Sequence, residues 1–126
     1  MEFWQQIAQE RLRTYDALHT AVENIPIELE DMHISGAAGS NRRLNSLVAK
    51  RTLQQRFLQA QRQLRQVDKA LAVLTPEQRL VLQMMDISRS PGNCDRLCQL
   101  LNCESSTIYY KRQGALKRFT AALFAK

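Results

Sequence analysis

The longest apolar pattern in the chain lies between residues 53 and 74. Apolar side chains recur there at alternating spacings of four and three residues, and neither glycine nor proline occurs between Gly39 and Pro76. The members are Leu53, Phe57, Ala60, Leu64, Val67, Leu71 and Leu74. This heptad spacing is typical of a coiled coil. Because good helix formers dominate the segment, we predict one long helix of about 50 Å.

A similar stripe occupies the first 25 residues. It consists of Trp4, Ala8, Arg11, Tyr15, Leu18, Val22 and Ile25. Only Arg11 interrupts its apolar character, and Leu12 stands beside it. Two such stripes predict two helices that pack together. Pro26 and the two glycines that follow it predict a loop from Ile27 to Asn41 between these helices.

The charges of the two predicted helices have opposite signs. Residues 1–41 contain two arginines against seven acids, a net charge of −5, whereas residues 42–74 contain eight bases against one acid, a net charge of +7. Opposite charges favour pairing of the helices over self-association, so we predict an antiparallel hairpin over residues 1–74. The alternative is that these charges only face solvent, where exposed ion pairs contribute little.

A third helix is expected to begin at residue 76. Thr75 has the position of an N-cap, Gln78 follows it by three residues as in a capping box, and Pro76 occupies the first helical position. Pro91 and Gly92 mark the next break. The helix has an apolar face that could dock the segments after it, formed by Leu80, Val81, Met84 and Met85.

A short helix, a turn and a final helix follow this break. Asn93 is a candidate N-cap of the short helix. Its inward face is expected to consist of Leu97, Cys98 and Leu101. Asn102 can adopt the left-handed conformation that a tight helix end requires. Glu104 or Ser105 can then cap the final helix.

The final helix has two chemically different faces. One side should face the core and carries Ile108, Ala115, Phe119 and Leu123. The opposite side carries Ser105, Ser106, Tyr109, Tyr110 and Gln113, flanked by Lys111, Arg112, Lys117 and Arg118. Hydroxyl and amide groups can contact base edges, and the cations can neutralise phosphates. The alternative is an amphipathic helix whose polar face contacts only water.

Two short helices joined by a tight turn, the second of them polar and basic, form the pattern of a helix-turn-helix that places one helix in the DNA major groove. The estimated pI of 9.7 also favours an anionic partner. We therefore predict an all-α protein with two parts: an N-terminal antiparallel hairpin of long helices over residues 1–74 and a three-helix DNA-binding domain over residues 75–126.

The segment from Leu74 to Leu82, Leu-Thr-Pro-Glu-Gln-Arg-Leu-Val-Leu, together with the two helices after it resembles the fourth, promoter-binding region of bacterial sigma factors. The family's Ile-Ala-x-x-Leu-Gly turn corresponds to residues 97–102, and its Ala-Leu-x-x-Leu ending corresponds to residues 115–119. The resemblance covers residues 74–119. It implies positions near bases for Ser105, Ser106, Thr107, Tyr109 and Tyr110, and positions near the DNA backbone for Lys111 and Arg112.

The whole arrangement is similar to the small sigma-like late-gene activators of phages and prophages. Departures from the sigma pattern are Cys98, Glu104 and Gly114, and the chain lacks the polymerase-binding regions of a complete sigma factor. The resemblance implies double-stranded DNA as partner, with the hairpin available for a contact with RNA polymerase or for homodimerisation. Two alternatives remain: a protein-interaction module that never contacts DNA, and the DNA-recognition subunit of a phage packaging terminase.

Other classes of function find no support in the sequence. No carboxylate pair, phosphate-binding loop or nucleophile triad suggests an enzyme, and no acid–base or nucleophile grouping surrounds His19 or His33. The three cysteines, spaced C-x3-C-x4-C, match neither a disulfide framework nor a zinc site. We therefore expect no cofactor, no metal and no catalytic residue. Since no signal peptide or membrane span is apparent, we expect a cytoplasmic protein without a membrane partner.

Overall fold

The computed structural model describes the backbone of residues 2–34 and 40–125, and the side chains of these residues except 33–45. All regular structure in this part of the chain is helical, which confirms the predicted all-α class. A π-helical turn, Gln83–Ile87, directly follows α4. The helices are α1 (Phe3–Arg13), α2 (Tyr15–Ile34), α3 (Ser40–Val73), α4 (Pro76–Leu82), α5 (Asn93–Leu101) and α6 (Ser105–Phe124).

Contacts along the chain define two compact units. Met1–Asp16 and Arg65–Lys126 form one, here called the terminal unit, and Ala17–Leu64 form the other, here called the middle unit. This grouping differs from the predicted division between residues 74 and 75, because both α1 and the end of α3 belong with α4, α5 and α6. The predicted division into a helical hairpin over residues 1–74 and a DNA-binding domain over residues 75–126 stays a prediction.

The main core of the terminal unit surrounds α6. Phe119, Ala115 and Leu116 of this helix are buried against side chains from α1, the end of α3, α4 and the π-helical turn. The other members are Ala8, Leu12, Val67, Ala70, Leu74, Leu82 and Ile87. The predicted inward positions Ala115 and Phe119 are thus confirmed. Leu123 is partly buried at the edge of this core.

A second, smaller core lies between α4, α5 and α6. Val81, Leu97 and Ile108 are fully buried there. Leu80, Met84, Met85, Cys98 and Leu101 pack around them and are partly buried. The predicted docking face of the third helix and the predicted inward face of the short helix are therefore both confirmed.

The start of α4 has the predicted capping box. The Gln78 backbone N–H donates to Thr75 Oγ1 at 3.2 Å, and the Thr75 backbone N–H donates to Gln78 Oε1 at 3.1 Å. Pro76 occupies the first turn, where its missing N–H costs nothing. These interactions span only four residues, which explains why the sequence alone predicts them.

The predicted N-cap role of Asn93 is wrong. Gly92, in a left-handed conformation with φ 83°, is the N-cap, and Asn93 is the first residue of α5. Asn93 is buried, and its side-chain amide donates to the Met84 carbonyl at 2.8 Å and to the Ser88 carbonyl at 2.9 Å. It therefore satisfies one carbonyl within the π-helical turn and one directly after it instead of capping its own helix.

The predicted loop from Ile27 to Asn41 is wrong at both ends. Helix α2 continues through Pro26 to Ile34, and α3 already begins at Ser40. A proline inside a helix removes one backbone hydrogen bond and crowds the preceding turn. The helix continues because its apolar stripe does: after Ile25 come Leu29 and Met32, both at least partly buried. Burial along this stripe offsets the cost of Pro26.

The first predicted helix is divided near its middle. Thr14 separates α1 from α2, and its hydroxyl donates to the Glu10 carbonyl at 3.0 Å and lies 3.3 Å from the Arg11 carbonyl. Threonine side chains that bond back to the preceding turn compete with the helix ladder. Ala8 and Ile25, on either side of Thr14, are buried members of the predicted stripe, and Leu12 is fully buried beside Arg11, whereas Trp4 is exposed.

The middle unit buries fewer apolar side chains than the terminal unit does. Ile25, Ala60 and Leu64 are its buried apolar residues among those described. The predicted stripe of α3 is nevertheless confirmed, because Leu53 and Phe57 are the partly buried members of the same face. Four large apolar residues of this unit are each more than half exposed: Ile27, Leu47, Val48 and Leu58.

Candidate nucleic-acid interface

A three-residue connection joins α5 to α6. Asn102 has the expected left-handed conformation, with φ 53° and ψ 54°. The Cys103 backbone N–H donates to the Cys98 carbonyl at 3.1 Å, which closes the end of α5. Glu104 has extended backbone angles and is the N-cap of α6, although its side chain makes no capping hydrogen bond. The connection and the Leu97–Ile108 contact fix α6 relative to α5.

The exposed face of α6 begins directly after this turn. Tyr110 is 75% exposed and Tyr109 51% exposed. Ser105, Ser106, Gln113, Lys117 and Arg118 are also exposed, and Thr107 is half-buried. Six of the nine predicted DNA-contacting residues are therefore exposed on a single helix, together with Gln113. The other three, Thr107, Lys111 and Arg112, are partly buried.

Two of the cations are held by α4. Lys111 forms an ion pair with Glu77, and its Nζ hydrogen bond to that carboxylate raises the pKa of Lys111. Arg118 donates to Gln78 Oε1 at 3.2 Å. Since the same oxygen of Gln78 accepts the Thr75 N–H, the capping box of α4 also positions a side chain of α6. Lys117 forms no ion pair within the part of the chain described.

Arg112 is part of a polar network that the sequence analysis above does not predict. Its Nε lies 2.9 Å from Asp86 Oδ2 and its NH2 lies 2.7 Å from Oδ1, so the contact is bidentate. Gln9 Nε2 of α1 donates to the same Oδ1 at 3.2 Å. Asp86 is only 1% exposed. These hydrogen bonds raise the pKa of Arg112 and satisfy the buried carboxylate.

This network connects three elements that are far apart in sequence. Asp86 belongs to the π-helical turn, Gln9 to α1 and Arg112 to α6. A signal for it does exist in the sequence, because Asp86 follows the apolar run of α4 and precedes Ile87. A lone acid within an apolar segment needs a partner. The sequence does not identify which of eighteen cations supplies it.

A groove of about 840 Å³ runs beside the exposed face of α6. Its walls come from Gln5 of α1, from α4 and from α6. The residues of α6 that line it are Tyr110, Lys111, Gln113, Gly114, Leu116 and Lys117. A Cβ atom at Gly114 would meet nothing within 4 Å, so no close contact explains a glycine in the middle of this helix.

The three cysteines lie at the edge of the smaller core and are partly buried free thiols. The pKa of Cys98 is raised because the thiol is withdrawn from water and lies beside Cys94. A higher pKa means less of the reactive thiolate. No group of three or more side chains suited to hold a metal ion occurs among the residues described.

Comparisons with protein-family models, with curated proteins and with solved structures found no match. In the described ranges, no helix is both long and apolar enough to cross a membrane. The case for a function therefore rests on the geometry of α5 and α6 and on the chemistry of their exposed side chains.

Proposed function

We propose that this chain is a sequence-specific, DNA-binding transcriptional regulator in which α5 and α6 form a helix-turn-helix. The observation that carries the proposal is the exposed polar face of α6, which begins immediately after a tight left-handed turn and lies opposite a fully buried apolar face. In a helix-turn-helix, the second helix enters the major groove and its first turns contact the bases.

The chemistry of the first two turns of α6 suits contacts with bases. Ser105, Ser106 and Thr107 supply hydroxyl groups that can donate to or accept from base edges. Tyr109 and Tyr110 follow on the accessible surface, where an aromatic ring can contact a thymine methyl group or a phosphate. Thr107 is half-buried and therefore the least accessible of the five.

The cations of α6 have different roles in this proposal. Lys117 is exposed and outside any ion pair of the described chain, so it is the first choice for a phosphate contact. Arg118 can contribute if it leaves Gln78. Lys111 and Arg112 already interact with acids. Arg112 in particular cannot leave Asp86 without stranding a buried carboxylate, so we assign it to positioning α6.

The proposal also includes a sigma-like role in transcription, with RNA polymerase as a second partner and a phage or prophage origin. This part rests on the resemblance of residues 74–119 to the promoter-binding region of sigma factors. The capping box at Thr75 and the left-handed Asn102 are the local features that support it. A protein-interaction module without DNA binding remains the alternative function.

Equilibrium binding of the full chain to duplexes selected from a random pool tests the proposal. The double variant Tyr110→Ala, Lys117→Ala should bind its selected duplex on the order of tenfold to a hundredfold more weakly, and its logarithmic salt slope should fall by about one. Lys69→Ala removes an exposed cation of α3 and serves as the matched control. Unchanged affinity in the double variant, or no salt-sensitive binding by the unmodified chain, contradicts the proposal and favours the interaction module.

A further inference from the structure

The outer faces of α2 and α3 in the middle unit carry complementary charges. On α2, the exposed Ile27 lies between Glu23 and Glu30, one turn away on either side. At about 100° per residue, these three residues lie within about 60° of one another around the helix. The apolar stripe of α2, which contains Val22 and Ile25, is on the opposite side. Helix α2 thus presents an acidic surface with an apolar centre.

Helix α3 presents the opposite charge in the same kind of pattern. Leu47, Arg51, Leu58 and Arg62 follow one another at spacings of four, seven and four residues, and all four are exposed. These spacings also place them within about 60° around the helix. Leu47 and Leu58 are each more than half exposed and each lies one turn from an arginine. No ion pair of these arginines, or of Glu23 and Glu30, occurs in the described part of the chain.

We infer that a second copy of this chain docks on these surfaces, with the acidic face of α2 in one copy against the basic face of α3 in the other. If both faces of one copy meet both faces of the other, the same contact forms twice and the dimer is two-fold symmetric. The apolar residues Ile27, Leu47 and Leu58 would then leave water, and the flanking charges would meet residues of opposite sign. The charges favour this pairing of α2 with α3, since a contact of α3 with α3 would bring arginines of the two copies close together, where they repel.

The charges provide a test that does not depend on DNA binding. In one variant, Glu23→Lys and Glu30→Lys make both faces basic, and in the other, Arg51→Glu and Arg62→Glu make both faces acidic. Each variant alone should lose the dimer, with a dissociation constant higher on the order of a hundredfold. An equimolar mixture of the two should form a dimer again, because each basic face then meets an acidic one.

The chain offers matched controls on the same helices. Glu28 lies about 100° around α2 from Ile27, and Arg56 lies about 160° around α3 from Leu58. Glu28→Lys and Arg56→Glu therefore change exposed charges outside the proposed contact and should leave the dimer intact. Circular dichroism of every variant establishes that the helices persist.

Sedimentation equilibrium of the full chain without DNA gives the mass of each species. We expect the unmodified chain to form a dimer that weakens as salt increases, since exposed charges are screened. A monomer at all concentrations, an open series of larger assemblies, or a mixture of the two variants that stays monomeric would overturn it. So would a loss of duplex binding in the Arg51→Glu, Arg62→Glu variant with an unchanged dimer, which would assign α3 to nucleic acid.

Discussion

The terminal unit and the middle unit differ in how completely they bury their apolar side chains. The terminal unit contains two cores, with Phe119, Leu12 and Ile108 fully buried, and a buried carboxylate with a bidentate partner. The middle unit is built from two helices, and its best-buried described residues retain 7–9% exposure. Its outer faces leave Ile27 and Leu58 largely in water. The terminal unit therefore buries its apolar side chains more completely, whereas the middle unit leaves the exposed apolar residues on which the proposed docking of a second copy rests.

The two units should differ most in how much the free energy of unfolding falls when an aromatic side chain is removed. Phe119→Ala should lower the free energy of unfolding by about 3–5 kcal/mol, because it leaves a cavity in a closed core. Phe57→Ala in the middle unit should cost about 1–2 kcal/mol, because that ring is only partly buried. Urea unfolding at one fixed protein concentration measures both. Equal losses would show that the two units are equally well packed.

The buried ion pair gives the next largest contrast. Arg112→Ala leaves Asp86 buried without its cation and should cost about 3 kcal/mol, near the lower end for buried pairs because the Arg112 side chain is 24% exposed. Arg56→Ala, an exposed arginine of the middle unit, should change stability by less than about 0.5 kcal/mol.

A double replacement separates the charge from the packing. Asp86→Leu with Arg112→Met should be more stable than Arg112→Ala alone, because no charge is then left unpaired. Denaturant unfolding of the unmodified chain, Arg112→Ala, Arg56→Ala and the double replacement gives the four free energies of unfolding to compare. If the double replacement is as unstable as Arg112→Ala, the network stabilises the fold through side-chain packing and not through charge pairing.

Two glycines of the terminal unit should respond in opposite directions to alanine. Gly114→Ala should stabilise the protein by about 1 kcal/mol, because alanine favours the helix and its Cβ meets nothing within 4 Å. Gly92→Ala should destabilise it by about 1–2 kcal/mol, because φ there is +83°. Thermal unfolding of both variants checks this. A destabilising Gly114→Ala would show that the exposed face of α6 is more crowded than its geometry indicates.

The smallest effect concerns Tyr15, at the edge of the terminal unit. Desolvation and a 2.5 Å hydrogen bond from its hydroxyl to Asp68 Oδ1 raise its pKa from 10.0 to about 12. Below pH 10 the phenol is protonated in both the folded and the unfolded chain. Between pH 10 and 12 the unfolded chain ionises first, so stability should fall as pH rises. Tyr15→Phe should lack this component in alkaline unfolding, and identical pH profiles would contradict the assignment.

The sequence predicted those features that depend on nearby residues. The capping box at Thr75, the left-handed Asn102 and the apolar stripe of α3 involve spacings of a few residues, and all three are confirmed. The break predicted at Pro26 is wrong because the local cost of proline does not include the burial of Leu29 and Met32. The cap predicted at Asn93 is wrong because its side chain bonds to the Met84 and Ser88 carbonyls, which precede α5 in the chain.

The sequence predicts only part of the candidate site, because some of its contacts join residues that are far apart in the chain. The polar exposed face of α6 follows from its helical spacing. The pairs Lys111–Glu77 and Arg112–Asp86 join residues 34 and 26 positions apart, so they depend on how the helices pack. Two cations expected near the DNA backbone therefore have partners within the chain. The contribution of α1, through Gln9, had no local signal.

We propose that the terminal unit binds DNA while the middle unit brings two copies of the chain together. The most direct test is to select duplexes from a random pool with the full chain. We predict one enriched sequence that occurs as two related half-sites, because a dimer presents two copies of α6. Loss of that enrichment in the Tyr110→Ala, Lys117→Ala variant should follow. Enrichment of a single half-site would contradict the role of the middle unit, and a pool without any enriched sequence would contradict DNA recognition itself.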